Sequence, residues 1–286
     1  DKVDAFFFSP NIDKSLDLAL FPPKFESIIH ASNPSIAMSY TEFSQTTTSD
    51  NILYIKPSSF WKDCFFKKSL YTLILRCAQN YDHVEDNLED VAKNREILSE
   101  YLEMPLVFIQ ATHSPNVAKV QSEYPQVQAD TDALVTRETN LGLVIMSADC
   151  APIVLLDPIS HVVGIVHAGW QGMLVGVIKN SIEAMLDLGA ETQNMKAVIG
   201  PTISAKNFSA TKERYEEVLA VEPSAAVKLS NGELAVDIRR GVKTQLAKYQ
   251  IKTTDLNICT FDNNDLFSFR RDPVTGRNAT VAWLSK

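Results

Sequence analysis

The sequence predicts the α/β (α+β) class, built as a single-domain mixed-sheet α/β sandwich. Three observations carry this. Strand-sized apolar runs and amphipathic helical segments are interspersed along the 286 residues. One pair of strands is joined by so short a turn that it must run antiparallel. No repeat, low-complexity tract or composition break marks a linker, and the length suits one large domain. The domain is taken as residues 1–286, with 1–69 carrying little readable pattern.

The elements follow in order. Pro22-Pro23 breaks the chain, and residues 44–51 (SQTTTSDN) read as an exposed loop ahead of the apolar 52–55. Residues 70–78 fit a strand or a buried helix, which periodicity does not separate. Residues 86–102 form an amphipathic helix. Val91, Ile97, Leu98 and Tyr101 make its stripe, and acidic residues come early, where the helix dipole favours them. Residues 106–111 are a short buried strand ending at Thr112-His113. The segment 130–135 leads into a continuous apolar strand at 141–148.

A hairpin follows, with strands 153–156 and 161–166 across a turn at 157–160. Pro158 sits at the second turn position, where its fixed φ suits type I. Pairing Leu156 with His161 places Cys150 opposite His167. Residues 172–188 read as one helix with Val175, Ile178, Ile182 and Met185 on one face, ended by Gly189. A strand at 196–199 stops at Gly200-Pro201. Helices are expected at 213–219 and 236–249, and strands at 256–260 and 280–284.

The composition is 45% hydrophobic and 22% charged, with a net charge of −8. An acidic surface argues against nonspecific binding to nucleic acid or anionic lipid and favours a small-molecule ligand. No nucleic-acid or membrane partner is expected, and no protein partner is inferable. The 4 Cys (64, 77, 150 and 259) form no CxxC pair, which fits a reduced, cytoplasmic setting. The apolar burst from Ala5 to Phe8 is too short for a signal peptide or a membrane span.

Cys150 and His167 at the open end of the hairpin suit either a nucleophile–base dyad or two ligands of a soft metal. His113 also follows a buried strand, and functional residues gather at strand ends held by a rigid scaffold. His113, Cys150 and His167 together supply two imidazoles and a thiolate, a tetrahedral zinc set with its fourth position open. Taken singly, each has a plainer role. A lone buried Cys is usually a small hydrophobe, and a lone His near a strand end is usually just hydrogen-bonded. The small residues Ala168-Gly169 beside His167 favour the chemical role, because they let a group approach the backbone. His161, His30 and His83 keep the plainer reading.

The segment SADCAP followed by VHAGWQG resembles the YfiH family, whose members have been called laccase-domain or polyphenol oxidase proteins. The resemblance extends to QATHSPNV (110–117), DTDALVT (130–136), IGPTI (199–203), Val236 to Arg239, Cys259-Thr260 and FSFRRD (267–272) with Gly276-Arg277. It covers roughly residues 70–284. It implies a mixed α/β sandwich with zinc ligands at His113, Cys150 and His167. It also implies phosphorolysis of purine nucleosides (adenosine, inosine and methylthioadenosine), in some members with adenosine deaminase activity. Cys150 and His167 then sit at the catalytic centre. The partners are a purine nucleoside and inorganic phosphate.

Arg271 is the first candidate to bind phosphate, with Arg270 and Arg277 behind it, since arginine suits bidentate phosphate recognition. Asn80 resembles a substrate-contacting position; a turn role is equally ordinary. Asp149 leans to structure, and Trp170 and Phe269 lean to core packing over stacking on a purine. The sequence departs from the family pattern at Ser114, Gln171 and Thr202, and the Thr-Arg and Gly-Gly signature is not visible in residues 30–60. These departures bear on substrate choice more than on the metal.

Three other readings compete. A copper oxidase of phenols follows from the older family names, but 5 His cannot ligate both a type 1 site and a trinuclear cluster. A metal-free Cys150–His167 hydrolase would not need His113. A noncatalytic module with structural zinc would need a fourth protein ligand, for which Cys259 is the candidate.

Overall fold

The computed structural model describes residues 5–6, 37–40, 43–47, 52–57, 70–77 and 88–284. Asn80, His30, His83 and Cys64 lie outside them. In chain order the strands are β1 (Ala5–Phe6), β2 (Ala37–Tyr40), β3 (Phe43–Thr47), β4 (Ile52–Pro57) and β5 (Leu70–Cys77). Helix α1 (Leu88–Leu102) is followed by β6 (Leu106–Ile109), β7 (Val117–Lys119), β8 (Val127–Gln128), β9 (Ala133–Thr136), β10 (Gly142–Ser147), β11 (Ala151–Asp157) and β12 (Val162–Ala168). Then come α2 (Trp170–Val175), α3 (Val177–Asp187), β13 (Lys196–Ile199), α4 (Lys212–Val221), β14 (Ala226–Lys228), β15 (Leu234–Val236), α5 (Ile238–Lys248), β16 (Lys252–Asp255) and β17 (Arg277–Leu284).

Two mixed sheets dominate. The first runs β2-β3-β4-β5-β17-β10-β6-β8, with β1 also pairing β5; the second runs β16-β13-β11-β12-β9-β7. They stack face to face. Leu143 and Ile145 of the first sheet share one core cluster with Val154, Leu156, Val163 and Ile165 of the second. The opposite face of the second sheet, including Ile153, Leu155 and Val166, packs on Ile178 and Ile182 of α3, Val218 of α4 and Val242 and Leu246 of α5. The second sheet is thus covered on both faces, so β11 and β12 are buried at every position and read as unbroken apolar runs. Burying each large aliphatic side chain there contributes about 1.5–3 kcal/mol.

Several predicted elements shift. Of the two forms left open for 70–78, residues 70–77 adopt the strand, and β3 occupies part of the expected loop at 44–51. The β-branched Thr46 and Thr47 suit a strand despite their polarity. The hairpin pairs Leu156 with Val163 and Pro152 with His167, two residues out from the predicted register. Asp157 explains the shift. It ends β11 paired with Val162, its Oδ1 accepts the N–H groups of both Ile159 and Ser160, and His161 adopts φ 53°, so the four-residue loop moves from 157–160 to 158–161. Because the shift is two, every side chain keeps its face.

The helix expected at 172–188 is two helices broken at Gly176, whose φ of 96° ends the first and starts the second. Ile178, Ile182 and Met185 are buried as predicted, but Val175, before the break, is 53% exposed. The helix expected at 236–249 starts at Ile238, because the Asp237 carboxylate caps it by accepting the Arg240 N–H, and Val236 belongs to β15. The strand expected at 256–260 lies instead at β16, parallel to β13. The pairing stops where β13 gives way to Gly200-Pro201, and Asn257 turns away at φ 55°.

Candidate metal centre

Three strand ends of the second sheet's neighbourhood converge. His113 comes from the loop after β6, Cys150 precedes β11 and His167 is the penultimate residue of β12. One ligand atom of each lies within 4.8 Å of the others. Cys150 Sγ is 3.5 Å from His113 Nε2, and the two imidazole centroids are 5.1 Å apart at 64°. His167 is buried, while His113 and Cys150 are half-buried, so the cluster opens on their side.

Asp132 organises the cluster, and the sequence reading had not singled it out. It is fully buried at the start of β9. Its Oδ1 accepts from His167 Nδ1 at 2.9 Å and from the His113 N–H at 3.1 Å. Its Oδ2 accepts the N–H groups of Thr112 at 3.1 Å and Ser114 at 2.7 Å, and the Ser114 hydroxyl at 2.9 Å. Three successive amides wrapped around one carboxylate hold His113 at φ 61°, a backbone conformation that β-carbons resist. The departure at Ser114 therefore adds a hydrogen bond to this anchor. The one available signal for Asp132 was its motif, DTDALVT.

The charges are coupled. Burial by itself would raise the Cys150 thiol, but the positive charge of His167 and the hydrogen bond with His113 outweigh it and hold the thiol down to about 6. Burial would lower His167, but the Cys150 thiolate and Asp132 carboxylate raise it to about 10. Burial would raise Asp132, but its hydrogen bond to His167, that residue's charge and the surrounding amides hold it down to about 2.

The donor set fits a soft or borderline metal such as zinc. It offers two imidazoles and a thiolate, and the carboxylate on His167 Nδ1 leaves Nε2 as the ligating nitrogen. The backbone packs closely on two of the three donors, at a position where only glycine fits. A β-carbon on Gly169 would lie 2.5 Å from His113 Cδ2 and 3.0 Å from Cys150 Sγ. Among the described residues this is the one cluster of three or more metal-ligating side chains. Cys259 lies elsewhere, with its sulfur engaged by the Ser204 N–H at 3.3 Å and Asn207 Nδ2 at 3.5 Å. It does not supply the fourth ligand that a closed structural site needs.

The other sequence candidates divide. Arg271 is tied into its own loop. Its Nη1 donates to the carbonyls of Thr260, Phe261 and Asn263, its Nη2 to Leu266, and its Nε to the Asp272 carboxylate. Those bonds give it a part in holding the loop. Asp149, at φ 96°, accepts from the Thr260 hydroxyl at 2.6 Å and the Arg270 N–H at 2.7 Å, which fastens that loop next to Cys150. Thr202 satisfies its buried hydroxyl on the Gly200 carbonyl, and Gln171 is exposed. Trp170 packs partly on the core, whereas Phe269 is 53% exposed. No helix among the described residues is long and apolar enough to cross a membrane.

The comparisons with known proteins agree with this frame. A family described as multi-copper polyphenol oxidoreductase laccase matches residues 77–285. A protein named purine nucleoside phosphorylase from Mycobacterium tuberculosis is 34% identical over 207 residues, covering 71% of this chain and 83% of its own. One of the same name from Streptomyces coelicolor is 35% identical over 210 residues, covering 70% and 85%. Purine nucleoside phosphorylase YfiH of Shigella flexneri is 30% identical over 212 residues, covering 73% and 84%. Among solved structures, a Bacillus licheniformis protein titled hypothetical protein YfiH superposes with a TM-score of 0.72 at 23% identity, covering 86% of this chain and 100% of that one; it supports the fold. A Neisseria meningitidis protein gives 0.69 at 29% identity, covering 76% and 95%. With its family motifs spread over nearly three-quarters of its length, the chain belongs to the YfiH family, the group described as multi-copper polyphenol oxidoreductase laccase.

Proposed function

We propose that this protein is a zinc-dependent purine nucleoside phosphorylase, with the whole chain acting as one YfiH-like domain. It would convert adenosine or inosine and inorganic phosphate to the purine base and ribose 1-phosphate, and accept methylthioadenosine similarly. Adenosine deamination to inosine and ammonia is proposed as a second activity. The observation that carries the reading is the His113–Cys150–His167 cluster, with three donors and an open side, in a chain whose relatives are named purine nucleoside phosphorylase.

His113, Cys150 and His167 would hold the metal, and bound zinc would supply a Lewis acid at neutral pH. The chain's residues do the positioning. Asp132 keeps the His167 proton on Nδ1 and so leaves Nε2 free to ligate. The amides of residues 112–114 fix the backbone that carries His113 through the same carboxylate. Gly169 lets the backbone pack directly against the His113 ring and the Cys150 sulfur.

The test is incubation of the zinc-loaded protein with adenosine or inosine, with and without phosphate. Phosphate-dependent release of base and ribose 1-phosphate supports the reading. If zinc is bound and neither phosphorolysis nor inosine formation occurs, the reading is wrong. The copper alternative rests on the family description and the His₂Cys ligand type. Elemental analysis with a visible absorption spectrum separates the two metals. A His113→Ala variant that loses zinc but keeps activity would favour the metal-free Cys150–His167 pair.

A further inference from the structure

Two arginines that share one aromatic ring lack a carboxylate partner among the described residues. Arg214, on α4, places its Cζ 5.0 Å from the Trp170 ring centroid and 5.7 Å from that of Phe208. Arg270 places its Cζ 4.9 Å from the same Phe208 ring. The neighbouring cations are committed elsewhere, Lys206 to Asp262 at 2.9 Å and Arg239 to Asp255 at 3.4 Å. Aromatic faces attract a guanidinium without neutralising it, so the N–H edges stay available to an anion. In a chain of net charge −8, two unneutralised arginines on one ring are a local exception.

Each is linked to the metal centre through a residue next in sequence to Gly169 or to Cys150. Trp170, under Arg214, follows Gly169, the residue whose β-carbon would touch His113 and Cys150. The Arg270 backbone N–H donates to Asp149 Oδ2 at 2.7 Å, one residue before Cys150. Phe208, which both arginines share, is nearly buried and packs on the core, so the pair stands on a rigid base. Arg271, next in sequence, is held by backbone carbonyls and has no comparable freedom.

We propose that Arg214 and Arg270 form a two-arginine clamp for a phosphate group, taking inorganic phosphate as substrate and the phosphate of the sugar phosphate product. Two guanidiniums on a common ring can each offer paired N–H donors to a tetrahedral oxyanion. The proposal rests on the phosphorylase reading above for its ligand.

Arg214→Gln and Arg270→Gln keep much of the side-chain length and remove the charge. In the zinc-loaded protein each is expected to raise the KM for inorganic phosphate about 10- to 100-fold, the loss typical of a charge-assisted hydrogen bond. The KM for inosine and the bound zinc should stay at wild-type levels. Arg→Lys at either position should restore part of the phosphate affinity. Direct titration with inorganic phosphate, followed calorimetrically, gives a readout that needs no turnover. If the wild type phosphorolyses inosine and both Gln variants keep its phosphate KM, the clamp is overturned and the proposed function stands. If the wild type binds phosphate, the variants bind it more weakly and no nucleoside is cleaved, the clamp is supported and the proposed function falls. A wild type that neither binds nor uses phosphate overturns both.

Discussion

Asp132 holds His167 twice: its carboxylate accepts from the ring Nδ1 at 2.9 Å, and its backbone carbonyl accepts the His167 N–H at 2.8 Å. The second contact lies beside the β9–β12 ladder, so the position of the imidazole is built into the sheet. The same carboxylate gathers the amides of 112–114, and one residue thereby aligns two of the three candidate ligands.

Asp132→Asn preserves the size of this anchor and removes its charge. Zinc affinity is expected to fall about 10- to 100-fold, as for other second partners of metal-bound histidine. Competition with a chromogenic chelator measures it; unchanged affinity would show that Asp132 serves folding alone.

Gly169→Ala adds a single carbon where the nearest atoms are His113 Cδ2 at 2.5 Å and Cys150 Sγ at 3.0 Å. The φ of −73° at this position tolerates alanine, so the cost is steric, about 1–3 kcal/mol. Zinc content should drop while far-UV circular dichroism stays native. Full zinc occupancy would mean that the cluster has slack the geometry does not show.

Arg271→Gln leaves the carbonyls of Thr260, Phe261, Asn263 and Leu266 without their shared donor. A loss of about 1–3 kcal/mol in urea unfolding is expected from the unsatisfied groups. A stability equal to wild type, with weakened phosphate binding, would return Arg271 to the role its sequence context suggests.

Glu222 provides a pH signature away from the metal centre. Burial would raise its carboxyl, but hydrogen bonds from the Ser224 hydroxyl at 2.6 Å and Lys248 Nζ at 3.1 Å outweigh it and hold it below the usual glutamate value. Its stabilising contribution is therefore complete above the unfolded value and is lost as pH falls through the folded one. Glu222→Gln should be less stable than wild type near neutrality, with the difference shrinking on acidification. Urea titrations at several pH values read this out, and a gap that widened in acid would contradict the assignment.

Zinc itself should stabilise the fold by mass action. At free zinc 100-fold above Kd the gain is about 2.7 kcal/mol, visible as a rise in Tm that a chelator reverses. His113→Ala should abolish most of that rise, and a variant that kept it in full would remove His113 from the ligand set.

Much of the fold and of the metal centre is legible in the sequence. The apolar runs around Val154 and Ile165 announced the two strands of a hairpin, and SADCAP with VHAGWQG drew Cys150 and His167 into one region. Other features needed through-space information. Val175 has helical spacing relative to Ile178 and Ile182, yet Gly176 breaks the helix and turns it to solvent. The hairpin register depended on how many amides the Asp157 side chain would accept, which strand periodicity does not report.

The order of side chains along the chain was enough to select the fold class, the buried strands and the candidate ligands, because periodicity and residue chemistry are local properties. Chain order could not show that the Arg271 guanidinium is held by four backbone carbonyls, or reveal Asp132 as the anchor. The difference lies in which carbonyl, ring or amide stands opposite each side chain. That is settled by the packing of segments more than a hundred residues apart, such as Asp149 against Arg270.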